Sequence, residues 1–241
     1  MKKTLLIAAV AVSALFAGSA VMAQDSNGLS YNIAVTSNYV WRGVSQTNGD
    51  QALQGGIDYK KGNYYVGVWG SNVSFDAPKP GQHADTEVDL YGGIAPTVGD
   101  WSFDFGAIAY TYPGADSENY GELKAGVSHA MGKGTIGAVM YLPVETMDNP
   151  YYEINASLPL SDKLSISGAI ANNEANKDEA DANYTGLCGN ADAKNCGVKY
   201  TTFNVGATYN LTDSLSLDVR YSKAEHMYLK NATYVTLKAT F

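Results

Sequence analysis

The connections constrain this chain more than its strands do. Segments of two-residue alternation run near 29–41, 52–59, 64–73, 86–97, 101–112, 120–131, 135–144, 151–160, 164–173, 200–210, 215–225 and 232–241. Tight turns on "KKGN", "VGD", "GKG", "SDK" and "TDS" alternate without exception with longer polar loops, the longest spanning 174–199. A soluble sandwich has no reason to sort its loops by length onto opposite ends. A barrel in an outer membrane does, with short turns on the periplasmic side and long loops outside. The expected fold is all-β: a transmembrane antiparallel up-and-down β-barrel of about 12 strands.

The two faces of the strands agree with that reading. "LSLDVRY" sets Leu215, Leu217, Val219 and Tyr221 against Ser216, Asp218, Arg220 and Ser222. "TFNVGATYN" repeats it, with Phe203, Val205, Ala207 and Tyr209 on one face. Lipid would meet the apolar face, and closure pairs every backbone group that lipid leaves unsatisfied. The last strand, "TYVTLKATF", carries Val235, Leu237, Ala239 and Phe241 on one side and ends on the aromatic. It resembles the C-terminal signal by which barrel assembly machinery takes up outer-membrane proteins.

The N-terminus supplies the compartment. Lys2 and Lys3, an apolar or small run from Thr4 to Ala20, and Val21-Met22-Ala23 read as a signal peptide over 1–23, cleaved after Ala23. A membrane anchor is the alternative, but Gly18 and Ser19 interrupt the run and no stop-transfer charges follow. A single barrel domain over 24–241 remains. Its 18 Tyr and 25 Gly suit sheets with tight turns. The formal charge is −8, and losing Lys2 and Lys3 makes it more acidic still, so nucleic acid is a poor partner. Two cysteines, Cys188 and Cys196, lie in the longest loop of an exported chain, and a disulfide between them is expected.

One stretch stands out. "SNYVWRGVSQT" (37–47) alternates Tyr39 and Trp41, then dissolves after Arg42-Gly43 into polar residues. "YVGVWGSNV" (65–73), with Trp69, echoes it. The first strand runs outward, so Tyr39 and Trp41 are expected at the outer rim among headgroups, with Arg42 at phosphate level and Gly43 turning the chain. The other reading turns Arg42 inward to line the mouth. Together with "ALQGGIDY" (52–59), these residues resemble the TorF-family porins of proteobacteria. The likeness is specific over Ser37 to Val73 and rests on strand pattern elsewhere. It implies an outer-membrane barrel of a Gram-negative bacterium with passive transport, and it carries no substrate, cofactor or catalytic residue.

Catalysis finds little support in the residues. His83 stands in a loop with Asp85 and Glu87, His226 ends the eleventh strand, and His129 lies near a short turn on the lipid-facing parity. No Gly-x-Ser-x-Gly elbow or paired histidines occur, and the acidic loop "NNEANKDEADAN" lacks calcium-loop spacing. No enzyme activity, metal or cofactor is expected.

Parity places the charges inside. Glu87, Asp89, Glu122 and Glu153 begin inward-running strands near the outer mouth, with Lys124 opposing them. Asp58, Asp104, Asp218, Arg220 and Lys238 sit lower, nearly balanced. Four acids against one base make an acidic vestibule that predicts cation preference. Small inward residues (Ser30, Ala34, Gly56, Gly93, Gly106, Gly126, Ser157, Ser167 and Gly206) favour a slender aqueous path in a barrel between filled and open sizes. The function expected is passive diffusion of small hydrophilic solutes. The competing function is a non-conducting barrel whose loops bind a partner or stabilise the membrane.

Overall fold

The computed structural model describes residues 27–76, 81–147, 150–175, 198–225 and 230–241. The expected signal peptide over 1–23, His226, and Cys188 and Cys196 with their expected disulfide lie outside the described residues. Twelve long strands follow one another: β1 Gly28–Thr36, β2 Ala52–Lys61, β3 Tyr64–Asp76, β4 His83–Ile94, β5 Trp101–Thr111 and β6 Tyr120–Met131. β7 Gly134–Pro143, β8 Tyr151–Pro159, β9 Leu164–Ala175, β10 Val198–Asn210, β11 Leu215–Ala224 and β12 Ala232–Thr240 complete them. A two-residue piece, Thr97–Val98, prolongs β4 beyond Ala95-Pro96, where proline has no N–H to give the ladder.

Each strand pairs antiparallel with the next, and β1 pairs with β12 to close the ring. At the seam Asn32 stands opposite Thr240 and Thr36 opposite Thr236. The amide of Tyr31 donates to the Phe241 carbonyl at 3.0 Å, and the Tyr31 carbonyl accepts from the Phe241 amide at 2.9 Å. Closure leaves no sheet edge, the condition for crossing lipid with strands. The architecture is the all-β, twelve-stranded antiparallel barrel that the sequence predicts.

Side-chain alternation separates the two environments. Leu29, Ile33, Val35, Ile154, Val219 and Leu237 point outward and are exposed, an apolar exterior suited to hydrocarbon. Their neighbours Ala34, Asp58, Glu153 and Ser222 point inward and are buried. The first strand differs from expectation: it ends at Thr36, and the chain then turns into the lumen. β3 and β4 rise further than their alternation suggested, with a register shift between Asn72 and Phe75.

Candidate functional site

The turn after β1 builds a small hairpin. Val40 pairs with Ser45 and Trp41 with Val44, leaving Arg42 and Gly43 as the two-residue turn. Both have left-handed backbones, φ 46° and 82°, which is the hairpin turn whose twist matches its strands. A Cβ on Gly43 would lie 2.8 Å from Thr202 Cγ2 and 3.0 Å from Ala224 Cβ, so the tip also needs glycine for close approach to the wall at β10 and β11.

The polar residues on either side hold the base. The Ser45 hydroxyl donates to Asn38 Oδ1 at 2.6 Å, and the Tyr39 amide donates to Thr47 Oγ1 at 3.3 Å. The Gln46 amide reaches the Tyr39 carbonyl at 2.7 Å, and the Gln46 carbonyl accepts the Ser74 amide of β3 at 2.8 Å. These bonds satisfy backbone groups that have left the barrel ladder. That is why the stretch dissolves into Ser, Asn, Gln and Thr.

The tip crosses the lumen. In the closed order β7 lies as far from β1 as the ring allows, and Arg42 reaches its neighbourhood. Nη1 and Nη2 of Arg42 donate to Oε1 and Oε2 of Glu122 on β6 at 2.8 and 2.7 Å, a two-pronged pair. The guanidinium carbon stands 4.2 Å from the Tyr151 ring centre, 5.1 Å from Tyr141 and 4.3 Å from Trp41. The Tyr110 hydroxyl donates to Glu122 Oε2 at 3.0 Å, and Tyr110 stacks on Tyr120 at 4.5 Å. The Arg42 and Glu122 side chains are only 9% and 2% exposed. Burial works against the arginine's charge, but Glu122 outweighs it and holds the group well above its ordinary range. Burial, then the charges of Glu87 and Asp89, push the Tyr39 phenol up.

These positions correct the expected rim. Tyr39 is 3% exposed and meets Trp69 edge-on inside the barrel at 5.6 Å, while Trp41 lies edge-on to Tyr110 at 6.1 Å. Tyr39, Trp41, Arg42 and Trp69 face the lumen, not headgroups. The physical reason is the acidic mouth, which offers a guanidinium both a carboxylate and ring faces.

The mouth acids are all buried. Glu87 and Asp89 come from β4, Glu122 from β6 and Glu153 from β8. Glu87 accepts from the Tyr112 hydroxyl at 3.0 Å, and Glu153 from the Tyr151 hydroxyl at 2.8 Å and Asn155 at 3.2 Å. Glu87 Oε2 and Asp89 Oδ1 have no hydrogen-bond partner among the described residues. Lys124, expected to oppose these acids, pairs with Asp104 lower down and also feels the charge of Glu153. A second base at the mouth is Arg42. Beside it a cavity of about 20 Å³, room for one water, is lined by residues including Tyr141, Tyr151, Glu153 and Asn204.

Toward the short turns the walls pair with themselves. Tyr65 donates to Asp104 at 2.7 Å, alongside Lys124, and Tyr91 donates to Asp58. Arg220 reaches Asp218 at 3.1 Å, Asn204 at 2.7 Å and Ser167 at 2.9 Å. Lys238 lies close enough for its charge to act on Asp58. The glycines here have a specific use. A Cβ on Gly93 or Gly106 would meet the Tyr65 hydroxyl at 2.6 and 2.7 Å, and one on Gly206 would meet the Arg220 guanidinium at 2.8 Å. Gly67 receives the Tyr91 ring in the same way. The long side chains therefore lie flat on the wall.

The histidines stand apart from this lumen. His83 is exposed with Nδ1 2.8 Å from Asp76 and Nε2 3.5 Å from Asp85, and His129 meets the Trp101 ring at 4.4 Å near a short turn. No group of three or more metal-ligating side chains occurs among the described residues. Sequence reasoning missed the phenols Tyr110, Tyr112, Tyr120, Tyr141 and Tyr151. Their signal was present in parity: Tyr120 precedes Glu122 by two residues, and Tyr151 precedes Glu153 by two, so each pair shares the inner face.

Comparison with known proteins adds a family and a fold. The family described as "Bacterial protein of unknown function (Gcw_chp)" matches residues 20–241. No curated protein matches the sequence. Among solved structures, KdgM porin superposes with a TM-score of 0.57 at 7% identity, covering 88% of this chain and 97% of that one. KdgM porin in complex with disordered oligogalacturonate gives 0.52 at 7% identity, with the same coverage. NanC porin gives 0.51 at 8% identity, covering 88% and 98%.

Proposed function

The chain belongs to the Gcw_chp family of bacterial proteins of unknown function, and from that premise we propose that it is an outer-membrane channel. The mature chain, from Gln24, forms one barrel in the outer membrane of a Gram-negative bacterium, taken up by the assembly machinery through the strand ending in Phe241. It passes small hydrophilic solutes by diffusion and prefers cations. The resemblance of Ser37 to Val73 to TorF-family porins agrees with this reading, and the solved porins share the fold. The observation that carries it is the lumen. It is polar, it is lined by charges, and it is narrowed at one level by an inward loop where acids outnumber bases. One solved porin of this fold is in complex with oligogalacturonate, a polyanion. The buried carboxylates Glu87, Asp89 and Glu153 disfavour such a solute here.

The test is single-channel conductance of the refolded mature protein under a salt gradient. Discrete steps with a cation-selective reversal potential are expected. Changing Glu87, Asp89 and Glu153 together to Gln should move that potential toward zero. One observation favours the competing function, a non-conducting barrel: the hairpin tip touches β6, β10 and β11, leaving a one-water cavity beside Arg42. A folded protein that never conducts, even with the tip displaced, would favour it.

A further inference from the structure

We propose that the pocket around Arg42 is a receptor for guanidinium groups of incoming solutes, occupied at rest by the protein's own loop. The inference rests on the barrel being a channel and names the chemistry that its mouth selects.

The pocket has the parts that a planar cation needs. Glu122 meets both terminal nitrogens, a fork-to-fork match that a compact ammonium cannot reproduce. Tyr110 donates to the same carboxylate and fixes its orientation. Tyr151 and Tyr141 offer ring faces at 4.2 and 5.1 Å. All four groups come from barrel strands, so the pocket persists when the loop leaves. Only the guanidinium and Trp41 belong to the loop.

Three further features suit exchange. Glu87, Asp89 and Glu153 share the mouth, so a vacated pocket leaves Glu122 without its arginine among further carboxylates, a strong demand for a replacement cation. The cavity beside Arg42, bounded also by Glu153 and Asn204, has room for one water, so the pocket is not packed solid around the tip. The hairpin that carries Arg42 is a two-pair ribbon of its own, separate from the barrel sheet, so the tip can leave without breaking barrel ladder bonds. A solute carrying guanidinium would displace the tip, occupy its pocket and open the lumen behind it.

Arginine ethyl ester, which carries the guanidinium without a carboxylate, is the probe. Its uncharged counterpart, citrulline ethyl ester, is the control at the side chain. Calorimetric titration of the detergent-refolded mature protein should show Arg42→Ala binding the arginine ester at least tenfold more tightly than the intact chain or Arg42→Ala/Glu122→Gln. The citrulline ester should bind none of them. Arg42→Gln serves equally if the alanine variant does not fold. In bilayers the arginine ester should produce transient current blockades in Arg42→Ala that the double variant lacks. Conducting channels with neither binding nor blockades would overturn the receptor while leaving the channel intact. Binding in micelles with no conductance in any variant would leave the receptor and remove the channel.

Discussion

At the long-loop end of the lumen Glu87, Asp89, Glu122 and Glu153 meet one arginine, delivered by a loop from the opposite wall. At the short-turn end Asp58, Asp104 and Asp218 are matched by Lys124, Arg220 and Lys238 from the strands themselves. Both regions confine charge, and both use tyrosine hydroxyls to share it. The difference lies in what moves when the pairing breaks. A strand side chain that loses its partner stays on the barrel wall, held by the backbone ladder. Arg42 that loses its partner takes a hairpin with it. Balanced walls make a fixed conduit, whereas an unbalanced rim makes a position that must be filled from elsewhere.

Glu122→Gln should separate the two regions most sharply. It leaves a buried guanidinium without its carboxylate, which costs about 3–5 kcal/mol in comparable pairs. The hairpin can avoid that cost by undocking, and trypsin reads the event as cleavage after Arg42. The cleavage rate should rise at least about a hundredfold if it follows the population of the undocked tip. Adding Arg42→Gln removes the stranded charge and should restore hairpin docking, read as single-channel conductance returning to that of the intact chain. Unchanged cleavage in Glu122→Gln would mean that the base of the hairpin, not its tip, fixes the loop.

Gly43→Val attacks the same contact without touching any charge. A β-branched residue at φ 82° costs about 1–2 kcal/mol for the left-handed backbone alone. Its Cβ also meets Thr202 and Ala224 at 3.0 Å or less. The tip should withdraw, and single-channel conductance should rise several-fold with the midpoint of barrel unfolding nearly unchanged. A conductance equal to that of the intact chain would place the narrowest point of the lumen elsewhere.

The barrel was legible because its signals are local. Alternation fixes which face each side chain takes, and loop sorting fixes topology, so Asp58, Glu87, Asp104 and Arg220 could be placed inside from parity alone. Residues 37–47 failed for the opposite reason. Strand parity says nothing once the chain leaves the ladder, and Tyr39 to Gly43 answer to a wall that is distant in sequence: Tyr110, Glu122, Tyr141 and Thr202. Arg-Gly between Trp41 and Val44 was a weak hairpin signal, since the usual turn residue before glycine is Asn or Asp. The lower glycines were half legible. Their small size was visible, but their use as seats for Tyr65, Tyr91 and Arg220 depends on cross-strand register.

Asp218→Asn carries the comparison into the conduit, where the smallest effect is expected. Arg220 would keep Asn204 and Ser167, and its side chain remains over Gly206 on a strand bonded along both edges. The side chains of this pair are 15% and 19% exposed, so water can take part of the lost interaction. The cost should be about 1 kcal/mol, that of a hydrogen bond to a charged group partly replaced by solvent. The unfolding midpoint in urea should fall slightly, with no change in trypsin cleavage after Arg42. Conductance should hold, because the guanidinium already lies along the wall and the substitution adds no bulk. Cleavage that rises with Asp218→Asn would mean that the two regions are one network, linked through the strands between Arg220 and the Gly43 contact at Thr202 and Ala224. The wall at the short-turn end would then set the resting position of the loop as much as Glu122 does.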